Sequence, residues 1–316
     1  MHKKDSLVKE SFTPEQKREI ASHIKNISFE DMDTEMNNLM QIGKAAGTLS
    51  QRSQLGNNVV DYFTFVARLE TKGKYDANYF EFLANLEHFR EKKFIQTMLK
   101  YYEEVKNKNK TKHEHKVLKE VYNICISAIN IMRPLNCMEL YTKYNAKRVL
   151  NFCAGWGGST VAAAALQLHA HYGIELNRDL QEPYDRMVTY LRTKSAATEF
   201  GLWFTDAATF DYSTIEYDTV FASPPYYFIE KYAHGVSYGS KEEMNKLFYT
   251  PVFSKSYLHL RNGGHFIINV CKEVYENVLQ KMLGVAHEVF PLKKSKRQND
   301  YTEMVYVWKK ASIDTP

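Results

Sequence analysis

A chain of 316 residues, 44% hydrophobic and 25% charged, has apolar mass for a full core and the balance of an ordinary globular protein. Its net charge of +5 suits a polyanionic partner but excludes a histone-like binder driven by charge alone. No apolar run nears a membrane span, the start "MHKKDSLVKESF" lacks a signal peptide's apolar core, and Cys125, Cys137, Cys153 and Cys271 form no C-x-x-C pair. The expectation is therefore a soluble, intracellular protein with reduced, mostly buried thiols, no membrane contact and no metal site.

Residues 13 to about 105 read as helices. "TPEQ" places Thr13 as N-cap, Pro14 at the first helical position and Gln16 as its capping-box partner. A second helix is predicted from near Ser28 through Met32, Met36, Leu39 and Met40. A polar loop follows at 47–58, then "VVDYFTFVARLE" and a long periodic stretch over 78–105. The charge run "KNKNKTKHEHK", 106–116, reads as a solvated linker or a nucleic-acid contact. His113 and His115 lack further ligands at metal spacing.

From about Arg148 the rhythm changes. Short apolar runs, "RVLNFC", "HYGIEL", "LWFTD", "DTVFAS" and "GGHFIINV", alternate with helical segments, then "AHEVFPLKK" and "YTEMVYVWKK" follow without a helix between them. This pattern predicts an α/β fold, a mostly parallel sheet ended by an antiparallel hairpin. The expected division is a helical region, 1–116, before a catalytic domain, 117–316.

"VLNFCAGWGGSTVAAAALQL", 149–168, is a strand, a glycine turn and a small-residue helix. Gly155, Gly157 and Gly158 let the backbone turn sharply and approach a ligand, which meets the helix N-terminus. No Lys follows as in a phosphate-binding P-loop, and the dinucleotide spacing is not met. Glu175 ends the next strand, where a carboxylate can accept hydrogen bonds from ribose hydroxyls. Asp206 ends the third, where it can meet an adenine amine. Two acids on successive strand ends after a glycine loop make an adenosine-binding constellation.

Ser223-Pro224-Pro225-Tyr226 leaves the fourth strand at the same edge. Two prolines make a rigid, extended corner whose carbonyls are expected to point outward unpaired. A fixed carbonyl beside a serine hydroxyl offers two acceptors for one planar amino group, and Tyr226 offers a stacking face. That suits methylation of an exocyclic amine: its delocalised lone pair needs positioning more than a strong base. No cysteine stands there for a covalent C5-cytosine mechanism.

Together, "NFCAGWGG", "IEL", "TDA" and "SPPYYFIEKY" resemble the S-adenosylmethionine-dependent amino-methyltransferases of nucleic acids. Their signature is Asp, Asn or Ser followed by Pro-Pro and Tyr or Phe. "AGWGG" with "SPPYY" and "EKY" is most similar to DNA methylases of large DNA viruses and phages. The resemblance covers about residues 120–310 and implies a class I, Rossmann-like methyltransferase with a seven-stranded sheet whose strand 7 is antiparallel. It implies S-adenosylmethionine at Phe152, Ala154, Gly155, Gly157, Glu175 and Asp206, and catalysis at Ser223, Pro224, Pro225 and Tyr226. Tyr227, Lys293, Lys294, Lys296 and Arg297 are then expected to contact nucleic acid. A first-position Ser leans toward N4-cytosine in DNA, with N6-adenine, RNA adenine N6, RNA guanine N2 and a catalytically silent nucleic-acid-binding subunit as alternatives.

Asn151 and Phe152 stand where the family often begins with Asp, and no large target-recognition insert is present. Target choice is left to the N-terminal helices, the loop after Tyr226 or the basic hairpin loop. Residues 232–243 read equally as a mobile lid or a surface loop. Arg133 or Asn136, just before the first strand, can close the methionine end of the donor site or serve only packing.

Overall fold

The computed structural model describes residues 7–49, 52–72, 76–227, 235–293 and 303–312. They divide into two compact units, one holding residues up to 29 with 64–130, the other 30–63, 131–227 and the chain from 235 onward. The sequence boundary at 116 thus moves to about 130, and residues 30–63 leave the helical unit. The cause is visible in the Phe29–Ile42 helix, which buries Met32, Met36 and Leu39. Its Asp33 pairs with Lys194 at 2.7 Å and accepts from the Tyr190 hydroxyl at 2.8 Å.

In the helical unit the Pro14–Ile24 helix starts in the expected capping box. The single periodic stretch expected over 78–105 is broken into Tyr79–Ala84, Leu86–Arg90 and Lys93–Tyr101. Asn85 supplies a reason: its side-chain amide donates to the Glu81 and Val8 carbonyls, both at 2.8 Å, so it competes with the helical ladder. The aromatic rings of that stretch, Tyr79, Phe80, Phe82 and Phe89, pack with Leu118, Val121 and Tyr122 into one core. Residues 106–116 lie inside this unit and run into the Glu114–Cys125 helix, so they do not link the two units.

Among the described residues of the other unit, seven strands form one sheet. They are β1 (Arg148–Asn151), β2 (Ala170–Glu175), β3 (Glu199–Phe204), β4 (Thr219–Ala222), β5 (His265–Val270), β6 (Glu288–Pro291) and β7 (Met304–Lys309). Their order is β3-β2-β1-β4-β5-β7-β6. The first five run parallel, and β7 pairs antiparallel with both β5 and β6. The central strands β1, β4 and β5 are almost wholly buried, as apolar runs covered on both faces must be. Chain order reverses between β1 and β4, so their carboxyl ends open the crevice where α/β sheets bind ligands. The fold is the class I, Rossmann-like one, as expected.

Candidate active site

The glycine loop leaves β1 through an Asn side chain. Asn151 accepts from the Cys153 amide at 3.0 Å and donates to Ser159 Oγ at 2.9 Å, so one buried side chain spans the turn. His171 Nε2 meets the same hydroxyl at 3.1 Å, and burial holds its imidazole down at about 3, neutral. Gly155 and Gly157 take φ of +59° and +99°, a region costly for other residues. A Cβ on Gly157 would lie 2.6 Å from Met187 Cε, and one on Gly158 only 1.8 Å from the Met132 carbonyl oxygen. At Gly155 the nearest atom would be 3.8 Å away, so the loop's outer side stays open.

Glu175 closes this loop against the end of β2. One carboxylate oxygen accepts from the Gly155 amide at 2.7 Å, the other from Asn177 at 2.9 Å. Burial pushes its carboxyl above the ordinary value, and the backbone amides pull only partly back. Asp206 Oδ1 accepts from the Ala208 amide at 2.8 Å, which aims the carboxylate off the end of β3. Burial, then the charges of Glu175 and Asp206, push the Cys153 thiol far up. An open glycine turn flanked by two held carboxylates fits the nucleoside of S-adenosylmethionine. The two carboxylates, at the ends of successive strands, are the acceptors that a ribose and an adenine amine could use. Phe152 and Ala154 differ from expectation. The Phe152 side chain is spent in the core, 5.9 Å from the Phe253 ring, so only its backbone reaches the edge. Ala154 is likewise buried, its carbonyl accepting from the Tyr184 hydroxyl at 3.0 Å.

Ser223-Pro224-Pro225-Tyr226 emerges from β4 beside that loop. Register places Ala222 opposite Ile268, and so Ser223 opposite Asn269 of β5. The Ser223 hydroxyl donates to Asn269 Oδ1 at 2.9 Å and the Tyr226 hydroxyl to the same oxygen at 3.1 Å. Asn269 Nδ2 in turn donates to the Met304 carbonyl on β7 at 2.9 Å. The Pro225 carbonyl is not free as expected, because the Tyr249 hydroxyl donates to it. Among the described backbone–backbone hydrogen bonds none ends on the Pro224 carbonyl, and Pro224 itself is buried.

Two expected nucleic-acid contacts prove to be structural. Tyr227 is buried, its hydroxyl donating to Asn245 at 2.5 Å, since the chain's alternation turns it inward behind Tyr226. Lys293 donates to the Gly47 carbonyl at 2.9 Å and pairs with Glu139 at 2.7 Å, while its own carbonyl accepts from Asn136. Asn136 is thereby a tether and Arg133 donates to the Ser53 carbonyl at 3.3 Å, while Met132 supplies the backbone lying on the glycine loop. Lys294, Lys296 and Arg297 lie outside the described residues, as does the first part of the 232–243 loop.

Sequence reading missed four residues here. Asn269 is a buried amide in the otherwise apolar run "FIINV", a signal that a polar partner waits across the sheet. Asn245 and Tyr249 bound a π-helical turn, Asn245–Tyr249, which brings Asn245 to the Tyr227 hydroxyl and Tyr249 to the Pro225 carbonyl. Tyr238 sits near Asp206 and Cys153, and burial pushes its hydroxyl up to about 12. Among the described residues, no cluster suits a metal ion, no helix is long and apolar enough to cross a membrane, and all four cysteines are free. Of these only Cys137 is fully buried.

Residues 146–310 match the model of the RNA cap guanine-N2 methyltransferase family. TrmN from Thermus thermophilus is similar in structure, 19% identical with a TM-score of 0.40, over 56% of this chain and 48% of that one. This chain therefore spans about half the length of that relative. An rRNA methylase from Streptococcus thermophilus is 14% identical with a TM-score of 0.37, over 58% of this chain and 99% of the other. NSun6 from Pyrococcus horikoshii, solved with SFG, is 12% identical with a TM-score of 0.35, over 52% and 48%. No curated protein sequence matches the chain. The preference for DNA, the cytosine lean and the likeness to viral and phage methylases find no support in these matches, whose family names RNA guanine N2, one of the alternatives read from the sequence. The family match spans more than half of the chain and covers the whole sheet edge just described, so this chain belongs to the RNA cap guanine-N2 methyltransferase family, and its cofactor is S-adenosylmethionine.

Proposed function

We propose that the protein methylates the exocyclic N2 amine of a guanine in an RNA cap. The observation that carries this is the placement of Ser223–Tyr226: it leaves β4 beside the β1 glycine loop, at the pair of strands where chain order reverses. Donor and target sites then share one crevice, as direct transfer requires. The donor supplies an electrophilic methyl on a sulfonium centre. Ser223 Oγ and the Pro224 carbonyl hold the amine hydrogens, and the Tyr226 ring gives the base a face to stack on. The guanine N2 amine, its lone pair delocalised into the ring, is directed rather than deprotonated: the N2–CH3 bond forms as the S–CH3 bond breaks, S-adenosylhomocysteine leaves, and the extra proton on N2 is lost to water. Lys294, Lys296 and Arg297 belong to this proposal as phosphate contacts.

Full-length chain with radiolabelled donor is to be offered capped RNA, uncapped RNA and duplex DNA, with products digested to nucleosides and identified by mass. Label on guanine N2 of the capped RNA is the expected result. Label on cytosine or adenine amines, or none on RNA despite measured donor binding, would overturn it. Ser223→Ala should lower turnover about 10-fold to 100-fold while leaving donor affinity unchanged, as loss of one hydrogen bond at the reacting group predicts.

A further inference from the structure

We infer that Asn269 is a positioning residue that sets the hydrogen-bond polarity of the target subsite; this deepens the guanine-N2 reading and rests on it. A serine hydroxyl can donate or accept, and a rotor free to do either would greet an amine or a carbonyl equally. Here the choice is fixed one residue away. The Met304 carbonyl can only accept, so the Asn269 amide nitrogen must face it, at 2.9 Å. The amide oxygen is thereby turned to Ser223 and Tyr226, at 2.9 and 3.1 Å, and each hydroxyl must spend its single hydrogen on it. Asn269 is fully buried, so water does not compete for these bonds.

Ser223 Oγ is left with lone pairs only. With no hydrogen left to give, the Ser223 oxygen is an acceptor-only point of the corner that takes N–H groups and repels carbonyl oxygens. Guanine carries both along one edge: the N2 amine and N1–H donate, O6 accepts. A corner that cannot donate admits the edge with the amine inward and rejects the register that brings O6 to Ser223. Regiochemistry is thus enforced by a strand-β5 residue that does not belong to the Pro-Pro motif and acts through Ser223.

The test compares binding of cap dinucleotides carrying guanosine or inosine, the latter lacking only the 2-amino group, in the presence of S-adenosylhomocysteine to prevent turnover. The unaltered chain should prefer guanosine by about 10-fold or more, the worth of a hydrogen bond whose loss strands a buried acceptor. Asn269→Leu frees the Ser223 rotor to donate, and the preference should collapse to within about 2-fold of unity. Asn269→Asp keeps an accepting oxygen toward Ser223 and should keep the preference. A merely structural Asn269 would lower both affinities together and leave their ratio intact in Asn269→Leu; that outcome, or equal binding by the unaltered chain, overturns the proposal. If Asn269→Leu does not fold, Asn269→Thr, too short to hold both ends, carries the same expectation. Label on cytosine or adenine in the transfer assay would overturn the guanine reading alone. The Asn269 ratio would then be read with that nucleotide against its deamino analogue, with the same two outcomes.

Discussion

On the donor side of the sheet edge, from β1 to β3, the contacts run mostly through main chain. Backbone amides of Gly155, Asn177 and Ala208 hold Glu175 and Asp206, and backbone carbonyls of Ala154 and Gly155 receive the Tyr184 hydroxyl. On the target side, from β4 to β5, side chains hold the site. Ser223 and Tyr226 meet on Asn269, Tyr227 on Asn245, and Tyr249 reaches the Pro225 carbonyl. The first construction leans on main-chain amides and carbonyls, which most substitutions keep, the second on the identity of each side-chain amide and hydroxyl. Mutations should therefore separate the two: backbone room and carboxylate charge decide on one side, single polar atoms on the other.

The largest effect is expected at Glu175. Glu175→Ala removes the acceptor we propose for the donor's ribose and should weaken S-adenosylmethionine binding about 100-fold, as the loss of charged hydrogen bonds worth roughly 3 kcal/mol implies. Calorimetric titration checks this; unchanged affinity would remove Glu175 from the donor site. The same group gives a pH signature. Burial raises its carboxyl above 4.5, and protonation replaces an acceptor by a donor. Donor affinity should fall on acidification, beginning at a higher pH than an ordinary Glu would set, and that fall should vanish in Glu175→Ala.

Gly158→Ala comes next and acts on stability. Its methyl would stand 1.8 Å from the Met132 carbonyl oxygen, which is backbone and cannot swing aside. Overpacking of this kind costs typically about 1–3 kcal/mol, and the rigid neighbour argues for the upper end. A drop in melting temperature of about 4 °C or more is expected by thermal unfolding. An unchanged transition would mean the 131–133 segment does not lie on the glycine loop.

How much of this was legible in the sequence divides along the same line. The donor side announces itself locally: glycines at 155, 157 and 158, then acids at the ends of two strands, are chemistry visible in order along the chain. The target side was legible only as Ser-Pro-Pro-Tyr. Its partner Asn269 stands 46 positions from Ser223, brought opposite by the β4–β5 register. Nothing in "FIINV" except an unexplained amide hints at that. Tyr227 was misread because local sequence does not say which of two adjacent tyrosines the corner turns inward. Lys293 was misread because its ion pair with Glu139 spans 154 positions, from 139 to 293. The helical unit lost its single long helix for a similar reason: Asn85 finds a partner in Val8, a tertiary contact that overrides periodicity.

Tyr249→Phe gives the smallest effect and the sharpest view of the difference. The substitution keeps the ring, which stacks on Phe253 with centroids 5.6 Å apart, and removes only the hydroxyl given to the Pro225 carbonyl. Stability should change by about 1 kcal/mol, the net worth of one neutral hydrogen bond. Donor affinity should not change, because the glycine loop and Glu175 are held by other groups. Turnover should fall about 3-fold to 10-fold, since the corner that carries the Pro224 carbonyl loses one of its braces while Asn269 still fixes Ser223. Steady-state kinetics beside a donor titration reads both quantities. A loss of donor affinity equal to the loss of turnover would mean that the two sides of the edge are one coupled unit, and that the backbone-held and side-chain-held halves do not act separately.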